Sequence, residues 1–267
     1  MNYITGDGFK NKCRWVLDGS GFIDLDVLRD SRPKTYMDDI IGNLFFCKTD
    51  YLPDFEKTMN GLPGPVVLIT HNSDINITEK YKAICECGNV IQWLAQNVDY
   101  EHYKLHSIPI GLSNAGYPNG DTQYFDKVIA MNLPKTKMLH ASYSVCTNRD
   151  RRNACINGTG IVPSRCGDFK EYLPQLAQSR FVIAPEGNGI DTVRIWESLY
   201  VKTIPIVLDC QNIRFYRDQL PMVVLNSWGQ FNRLELSEDM YKKIWDDFDP
   251  SILTVDFYLW KYLCKNM

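Results

Sequence analysis

The sequence predicts an α/β fold built on parallel sheets, because three observations agree. Short apolar runs alternate with amphipathic stretches along most of the chain, as strands alternate with helices in this fold class. The run Val66–Ile69 is continuous and mostly β-branched, which is typical of a strand covered on both faces. The 267 residues, of which 45% are hydrophobic, are enough for one large domain or two compact ones.

In the first half of the chain, strands are predicted at 44–47, 65–70 and 105–110. The apolar stretch 89–96 fits either a strand or a helix. Residues 113–121 are rich in proline, glycine and polar side chains, so they are predicted to form a loop before a short helix at 126–132. A linker at Pro134–Lys137 then divides the chain into the predicted domains 1–134 and 135–267.

The second half alternates more regularly between strands and helices. Strands are predicted at 138–145, 181–184, 204–208 and 222–225, and helices at 149–157, 169–179, 191–201, 237–248 and 251–263. Pro174 leaves the start of the second of these helices open. The last helix is rich in aromatic residues, so we expect it to pack back against one of the two domains.

Charge, cysteine usage and hydropathy argue against a nucleic-acid-binding protein, a secreted disulfide-rich protein and a membrane-spanning protein. The net charge is −3, and the one dense basic cluster, Arg149 to Arg152, suits a diphosphate better than a nucleic-acid polymer. The nine cysteines are odd in number and irregularly spaced, so we expect free thiols in a reducing, cytoplasmic setting. We find neither a secretory leader nor an apolar run of about 18 residues, so we expect no membrane span.

The stretch 181–207 carries the chemistry that the sequence shows most clearly, since it reads as strand, glycine loop, helix and strand. Gly187 and Gly189 would let the backbone turn sharply and approach a ligand. Asp191 or Thr192 would cap the helix. A helix N-terminus at the carboxyl end of a parallel strand favours an anion such as a diphosphate.

Two charged residues lie one helical turn apart on this predicted helix. Arg194 would neutralise a phosphate, and Glu197 would accept both hydroxyls of a ribose. The same two residues would also fit an ordinary surface ion pair, which contributes little to stability. The glycine spacing differs from that of a dinucleotide-binding fingerprint.

The segment Pro185–Glu197, followed by Thr203–Val207, resembles the donor-site signature of exostosin-like glycosyltransferases. The resemblance is strong over residues 138–225. In the first half, Trp93–Asn97 and Leu105–Leu112 resemble members of this group from large DNA viruses and bacteria. The resemblance implies a GT-B fold, in which two Rossmann-like domains face each other across a cleft. It implies a nucleotide-sugar donor on the C-terminal domain, an acceptor in the cleft, and no metal or other cofactor.

Carried over by position, the resemblance assigns the ribose hydroxyls to Glu197 and the diphosphate and transferred sugar to Arg194 and the glycine loop. The full set of implied donor-binding residues is Arg149, Arg152, Pro185, Glu186, Gly187, Asn188, Gly189, Asp191, Thr192, Arg194 and Glu197. Arg149 and Arg152 would balance the charge of the leaving diphosphate, or would simply form a solvated helix start. Glu186 would contact the sugar or face water.

An inverting transfer needs a base that takes the proton of the acceptor hydroxyl. The predicted strand 65–70 ends in a loop that contains His71 and Asp74. We predict that Asp74 is the base and that His71 orients it or replaces it, although both residues would also suit a structural turn. Gly6–Gly8 is predicted to be a tight turn or a second wall of the acceptor site.

The resemblance, taken with these residues, implies an inverting, metal-independent glycosyltransferase that moves a sugar from a UDP-sugar to a glycan, and xylose is a candidate from the resemblance alone. The alternatives are a non-catalytic nucleotide-sugar- or glycan-binding module, and a phosphorylase or epimerase on the same fold. Asp24 and Asp26 have the spacing of a metal-binding acidic pair but follow no clear strand, so no metal site is expected. Trp15, Trp93 and Tyr117 would stack on sugar rings or belong to the core.

Overall fold

The computed structural model describes residues 2–19, 43–164 and 167–263. They form two compact units, each with its own parallel sheet and flanking helices. The first unit comprises Ile4–Ile110 and Thr254–Met267, and the second comprises Met1–Tyr3 and Gly111–Leu253. The predicted α/β fold with parallel sheets is therefore confirmed.

The elements below are numbered in chain order through both units. The strands are β1 (Trp15–Leu17), β2 (Leu44–Lys48), β3 (Val66–His71), β4 (Val90–Ala95), β5 (Leu105–Ser107), β6 (Lys137–His140), β7 (Ser179–Ile183), β8 (Ile204–Leu208) and β9 (Val223–Leu225). The α-helices are α1 (Gly6–Lys10), α2 (Leu52–Thr58), α3 (Lys82–Glu86), α4 (Thr122–Ala130), α5 (Arg149–Thr159), α6 (Phe169–Ala177), α7 (Val193–Tyr200), α8 (Gln211–Arg214), α9 (Glu238–Trp245) and α10 (Val255–Leu263). Short 3-10 helices lie at Thr49–Tyr51, Met59–Gly61, Glu79–Tyr81, Val145–Thr147, Trp228–Arg233 and Pro250–Ile252.

The sheet of the first unit has the strand order β1-β2-β3-β4-β5, and all its neighbours run parallel. Every residue of β3 is buried, in agreement with the continuous apolar run seen in the sequence. The ambiguous stretch 89–96 forms strand β4, where the buried Trp93 indole donates a hydrogen bond to Thr70 Oγ1 at 2.9 Å.

The C-terminal helix α10 packs on the sheet of the first unit. Gln92 on β4 donates to the carbonyl oxygen of Tyr262 at 3.0 Å, and the Tyr262 hydroxyl donates to the carbonyl oxygen of Ser107 on β5 at the same distance. The ring of His106 stacks on that of Tyr262, with 4.8 Å between the centroids. Tyr262, one of the aromatic residues that mark this helix in the sequence, therefore packs against β4 and β5.

The sheet of the second unit has the strand order β6-β7-β8-β9, again with parallel neighbours. The unit begins at Gly111, so the sequence-based boundary at 134–135 lies inside it. Helix α4 precedes that boundary but packs within the second unit, where Phe125 lies 5.4 Å from Phe169 between ring centroids. Asp126 on the same helix accepts a hydrogen bond from the Tyr3 hydroxyl at 2.8 Å.

Several predicted elements end or change type in the structure. Gly6–Gly8 is the first turn of α1 and not a tight turn, since Thr5 caps the helix by accepting from the Gly8 amide at 2.9 Å. The predicted strand 138–145 ends at His140, and a 3-10 helix occupies Val145–Thr147. The predicted strand 105–110 ends at Ser107, shortly before Pro109, which has no amide hydrogen to continue a ladder.

A membrane-spanning helix needs about 20 consecutive, mostly apolar residues. Within the described ranges, none of the helices is both long and apolar enough to cross a bilayer.

Candidate functional site

A cavity of about 1110 Å³ lies in the second unit, at the carboxyl end of β6. Its walls come from the loop before α4, from the segments that follow β6 and precede α6, and from α6 and the first turns of α7. The described lining residues are Pro118, Asn119, Ser142, Tyr143, Ser144, Val145, Cys146, Val162, Pro163, Ser164, Gly167, Asp168, Phe169, Tyr172, Val193, Arg194 and Glu197. Parallel α/β sheets commonly bind ligands at this edge.

The start of α7 presents both a helix end and two charged side chains to the cavity. Thr192 is the N-cap residue, with an extended backbone, but its side chain makes no capping hydrogen bond. Asp191, the other predicted cap, accepts instead from the Trp196 indole at 3.0 Å. The positive end of α7 therefore lies beside Val193 and Arg194, which line the cavity, without a capping hydrogen bond from the Thr192 side chain.

Glu197 places a buried carboxylate in the cavity wall. Its side chain is 3% exposed, and its Oε2 accepts a hydrogen bond from the Tyr172 hydroxyl at 3.0 Å. Burial raises the pKa of Glu197, while the charge of Arg194 and hydrogen bonds from Tyr172 and Asn119 limit that rise. A carboxylate has about four lone-pair sites, so it keeps the capacity to accept from ligand hydroxyls.

Two guanidinium groups flank the ring of Tyr143. The Cζ atoms of Arg152 and Arg194 lie 5.6 and 5.8 Å from its centroid. The Nε of Arg194 is buried and has no hydrogen-bond partner within the described ranges. Burial and the charge of Arg194 lower the pKa of Arg152 to about 10, which still leaves Arg152 charged at neutral pH. Two like charges lie beside one ring, and that of Arg194 adds to burial in lowering the pKa of Arg152, so the pair favours an anionic ligand.

Arg152 is fixed by backbone contacts and not by an acidic partner. Its Nε donates to the carbonyl oxygen of Glu186 at 3.0 Å, and its Nη1 donates to that of Ser144. The carboxylate of Glu186 itself lies 3.4 Å from Arg151. Two carbonyl groups therefore orient the guanidinium group of Arg152, and neither of these contacts is an ion pair.

His140 at the end of β6 adds a buried neutral ring beside this charge. It is 5% exposed, and its Nε2 has no hydrogen-bond partner in the part of the chain that the structure describes. Burial, together with the charges of Arg194 and Lys137, lowers its pKa to about 4. Its ring centroid lies 5.7 Å from that of Tyr172. His140 was not predicted from the sequence, because the predicted strand 138–145 placed it inside the strand and not at its end.

The glycine loop between β7 and α7 is held against the start of α5. Asn148 Nδ2 donates to the carbonyl oxygen of Gly187 at 2.7 Å. Neither Gly187 nor Gly189 has a positive φ. A Cβ atom at Gly187 would lie 3.6 Å from Arg152 Nη2, which is an ordinary contact. The backbone does bend at residues 188–191, as expected for this loop, but neither glycine is required there by a left-handed conformation.

The structure brings only part of the predicted donor set together. Arg194 and Glu197 line the large cavity, whereas Pro185 and Glu186 line a separate crevice of about 20 Å³ with Arg151. Arg149 is exposed on α5. The other walls of the cavity were not predicted from the sequence, because Asn119, Tyr143, Phe169 and Tyr172 are distant from α7 along the chain.

In the first unit, the predicted base loop begins with a histidine that is fully engaged. His71 is buried, its Nε2 lies 3.0 Å from the carbonyl oxygen of Pro109, and its Nδ1 lies 2.7 Å from the Asn72 amide nitrogen. Since a carbonyl only accepts, Nε2 carries the proton and Nδ1 accepts. Burial lowers the pKa of His71, so the ring is neutral. Asp74, further along the loop, is exposed.

A polar network that was not predicted from the sequence surrounds His71. Asn72, at a φ of +62°, donates from Nδ2 to Asp7 Oδ1 at 3.3 Å and from its amide to Gln96 Oε1 at 3.1 Å. A Cβ atom at Gly6 would lie 1.7 Å from Asn72 Oδ1, so this close approach requires glycine. The start of α1 is thus locked against the end of β3.

The remaining candidates separate into core, surface and undescribed residues. Trp93 is buried in the core, Trp15 is half-buried beside Phe45, and Tyr117 is exposed. Asp24 and Asp26 lie outside the described residues. Among the described residues, no group of three or more His, Cys, Asp and Glu side chains is placed to share a metal ion.

Comparison of the sequence with protein-family models and with curated proteins finds no match. The similarity to exostosin-like glycosyltransferases therefore rests on the residues quoted for it above.

Proposed function

We propose that the chain is an inverting glycosyltransferase of the GT-B type that transfers a sugar from a UDP-sugar to a glycan acceptor in the cytoplasm. Xylose is the first candidate for the sugar. The observation that carries the proposal is the joint placement of a buried carboxylate, Glu197, and the guanidinium group of Arg194 on one cavity, with Arg152 near the ring of Tyr143. In this proposal, arginine charge and the end of α7 replace a metal ion.

A nucleoside diphosphate has the chemistry that this cavity would complement. Its ribose offers two hydroxyls to Glu197, which already accepts from Tyr172. Its diphosphate would bind the N-terminus of α7, where Thr192 makes no capping hydrogen bond, and the guanidinium group of Arg194 in the cavity wall. Residues one helical turn apart are separated by about 5 Å along the axis, which suits a ribose beside its phosphates.

The transfer breaks one bond at the anomeric carbon and forms another. The acceptor oxygen attacks that carbon while its proton passes to the base, for which Asp74 is the candidate. The bond from the anomeric carbon to the diphosphate oxygen breaks, and its electron pair stays on the nucleoside diphosphate. Arg194 and Arg152 would stabilise the charge that develops there, which is where preorganised cations contribute most to the rate.

One observation favours the alternative of a non-catalytic nucleotide-sugar- or glycan-binding module. Both ring nitrogens of His71 are already engaged in hydrogen bonds, so His71 has no open nitrogen with which to take a proton from an acceptor. A binding module would need the cavity but no base. The two proposals therefore differ in product formation and not in nucleotide binding.

Product analysis separates these possibilities. The purified chain is incubated in EDTA with UDP-sugars and a panel of oligosaccharides, and both free UDP and lengthened glycan are measured. We expect the two products in equal amounts, and their loss in Glu197→Gln but not in the control Glu235→Gln, which changes an exposed glutamate of the same unit. UDP binding without any lengthened glycan would support the binding module, and absence of both would refute the donor site.

A further inference from the structure

Tyr117 is an exposed aromatic side chain beside the cavity of the second unit. It is 66% exposed, and it directly precedes Pro118 and Asn119, which line the cavity. Exposure alone does not indicate a binding role, since Tyr103 in the first unit is 80% exposed and none of its sequence neighbours lines the cavity. The position of Tyr117 next to the cavity is what distinguishes it.

The turn that holds Tyr117 is closed by backbone hydrogen bonds. The Tyr117 amide donates to the carbonyl oxygen of Asn114 at 3.2 Å, and the Gly120 amide donates to that of Tyr117 at 2.9 Å. Gly116 has a φ of +102°, and a Cβ atom at Gly120 would lie 2.1 Å from the Asn114 carbonyl oxygen. Glycine is therefore required at both positions, and the ring is presented from a fixed turn at a small entropic cost to binding.

The same turn is connected to the proposed ribose site. Asn119 donates a side-chain hydrogen bond to Glu197, the buried carboxylate of the cavity. On the cavity lining, Val162 is 77% exposed and is followed by Pro163, so apolar surface reaches the mouth of the cavity. A ligand that extends outward from Glu197 would meet the apolar side chains of Val162 and Pro163 there, with the side-chain amide of Asn119 nearby.

A sugar ring fits this combination better than the nucleobase does. A pyranose has one face of C–H groups, which packs on an aromatic ring, and a rim of hydroxyls, which amides can bind. In the proposed arrangement the nucleobase would find other aromatic side chains in the cavity lining, since Phe169 lies 6.3 Å from Tyr172 and Tyr172 donates to Glu197. The cavity volume of about 1110 Å³ exceeds the usual range of about 300–1000 Å³ for one small ligand.

We propose that Tyr117 is the stacking platform for a sugar ring of the glycan acceptor at the mouth of this cavity. The proposal rests on the proposed function, because it takes the nucleotide to occupy the interior beside Glu197. It makes Tyr117 a determinant of acceptor binding and not of donor binding.

The test compares Tyr117→Ala, Tyr117→Phe and the control Tyr103→Ala. Xylo-, cello- and manno-oligosaccharides are titrated against each protein by thermal shift in EDTA with saturating UDP, and the best of them is used as acceptor to measure KM. We expect Tyr117→Ala to raise the acceptor KM about five- to tenfold, since an aromatic stacking contact is worth roughly that factor. Tyr117→Phe and Tyr103→Ala should match the wild type, and the UDP-induced shift should be the same in all four proteins.

The proposal would be overturned if Tyr117→Ala left the acceptor KM unchanged, or if it weakened UDP binding instead of acceptor binding. It would also be overturned if no oligosaccharide raised the melting temperature of the wild type. Failure of the proposed function is recognised separately. If the wild type binds an oligosaccharide but transfers no sugar, the transferase proposal fails. The effect of Tyr117→Ala on the oligosaccharide-induced shift then still decides the role of Tyr117, with a lost shift supporting it and a retained shift refuting it.

Discussion

The two units place polar residues at the same kind of position and use them differently. In the second unit, a large cavity lies at the carboxyl end of β6, and Arg194 in its wall has an Nε without a hydrogen-bond partner among the described residues. In the first unit, both nitrogens of His71 at the end of β3 are engaged, and Asn72 bonds to Asp7 and Gln96. A buried polar atom without a partner is costly, so the second unit retains unmet bonding capacity for a ligand.

The comparison distinguishes two sheet edges. We call the edge beside Arg194 and Glu197 in the second unit the binding edge, and the edge around His71 and Asn72 in the first unit the structural edge. Both follow parallel strands, and both contain histidine, amide and carboxylate groups. The difference lies in the hydrogen bonds of the groups compared, since His71 and Asn72 are bonded within the fold and Arg194 Nε is not. Asn76 Oδ1, further along the loop after β3, is the one buried side-chain nitrogen or oxygen atom of the first unit without a partner among the described residues. We therefore expect substitutions in the second unit's cavity to change ligand binding, and substitutions in the network around Asn72 to change stability.

The largest expected effect comes from the predicted base, which lies in the loop that begins at the structural edge. Asp74→Asn should lower kcat about 10²- to 10⁴-fold, because general base catalysis contributes that much, and should leave the melting temperature unchanged since Asp74 is exposed. His71→Asn should instead lower the melting temperature, since it removes a buried, fully bonded ring.

Steady-state kinetics and thermal unfolding of both variants measure these two effects. Asp99→Asn is the matched control, because it changes another exposed aspartate of the same unit and should leave kcat unchanged. A normal kcat in Asp74→Asn would reject Asp74 as the base.

The second largest effect is expected from removing the positive charge of Arg194, which lies beside the ring of Tyr143. Arg194→Met should weaken UDP binding about 100-fold, because a charge-assisted contact to phosphate is lost while the aliphatic volume is kept. Arg149→Met serves as the matched control, since Arg149 is exposed on α5 and should matter far less. Calorimetric titration with UDP measures both affinities. Equal losses in the two variants would mean that net charge, and not the cavity, attracts the ligand.

His140 makes the comparison testable by pH. Its pKa is lowered to about 4 in the folded protein, so between pH 6.5 and 4 the unfolded state binds more protons and stability falls as the pH falls. The loss should reach about 3 kcal/mol relative to His140→Gln, which cannot titrate. Urea unfolding of both proteins at pH 7 and pH 4 measures this difference. Parallel pH dependences would show that His140 is not buried in a neutral form.

The smallest expected effect probes the structural edge of the first unit. Gly6→Ala should destabilise the protein by about 1–3 kcal/mol, because the added methyl group would collide with Asn72 Oδ1. Gly64→Ala is the control, since a Cβ atom there meets nothing within 4 Å. Urea unfolding compares the two variants. A neutral result for Gly6→Ala would show that the contact between α1 and the end of β3 is loose.

Local pattern was sufficient to predict several elements of the fold. The apolar runs at β3 and β8 were found because a strand buried on both faces needs nearly every residue apolar. The helix that became α7 was found from its apolar stripe, although its start was placed at Asp191 and lies at Val193, after the N-cap residue Thr192. The position of residues 111–134 was not predictable, because it depends on contacts such as Phe125 with Phe169.

The candidate site was predictable only where its residues are close in sequence. Arg194 and Glu197 lie one turn apart on one helix, and the sequence places them together directly. Tyr143, Tyr172 and His140 reach the same region from other elements, and pairing them requires the sheet order and the packing of α6. The resemblance in the sequence suggested a donor site on α7, and only the folded structure identified the other residues that line the cavity.

The most direct test of the central claim is calorimetric titration of the wild type and Glu197→Gln with UDP and with 2′-deoxy-UDP, all in EDTA. We expect the wild type to bind UDP without a metal ion and to bind the deoxy ligand about tenfold more weakly, because Glu197 loses a hydroxyl donor. Glu197→Gln should bind UDP more weakly and should discriminate less between the two ligands. Equal affinity of the wild type for both ligands, or binding only with a divalent metal ion, would contradict the claim.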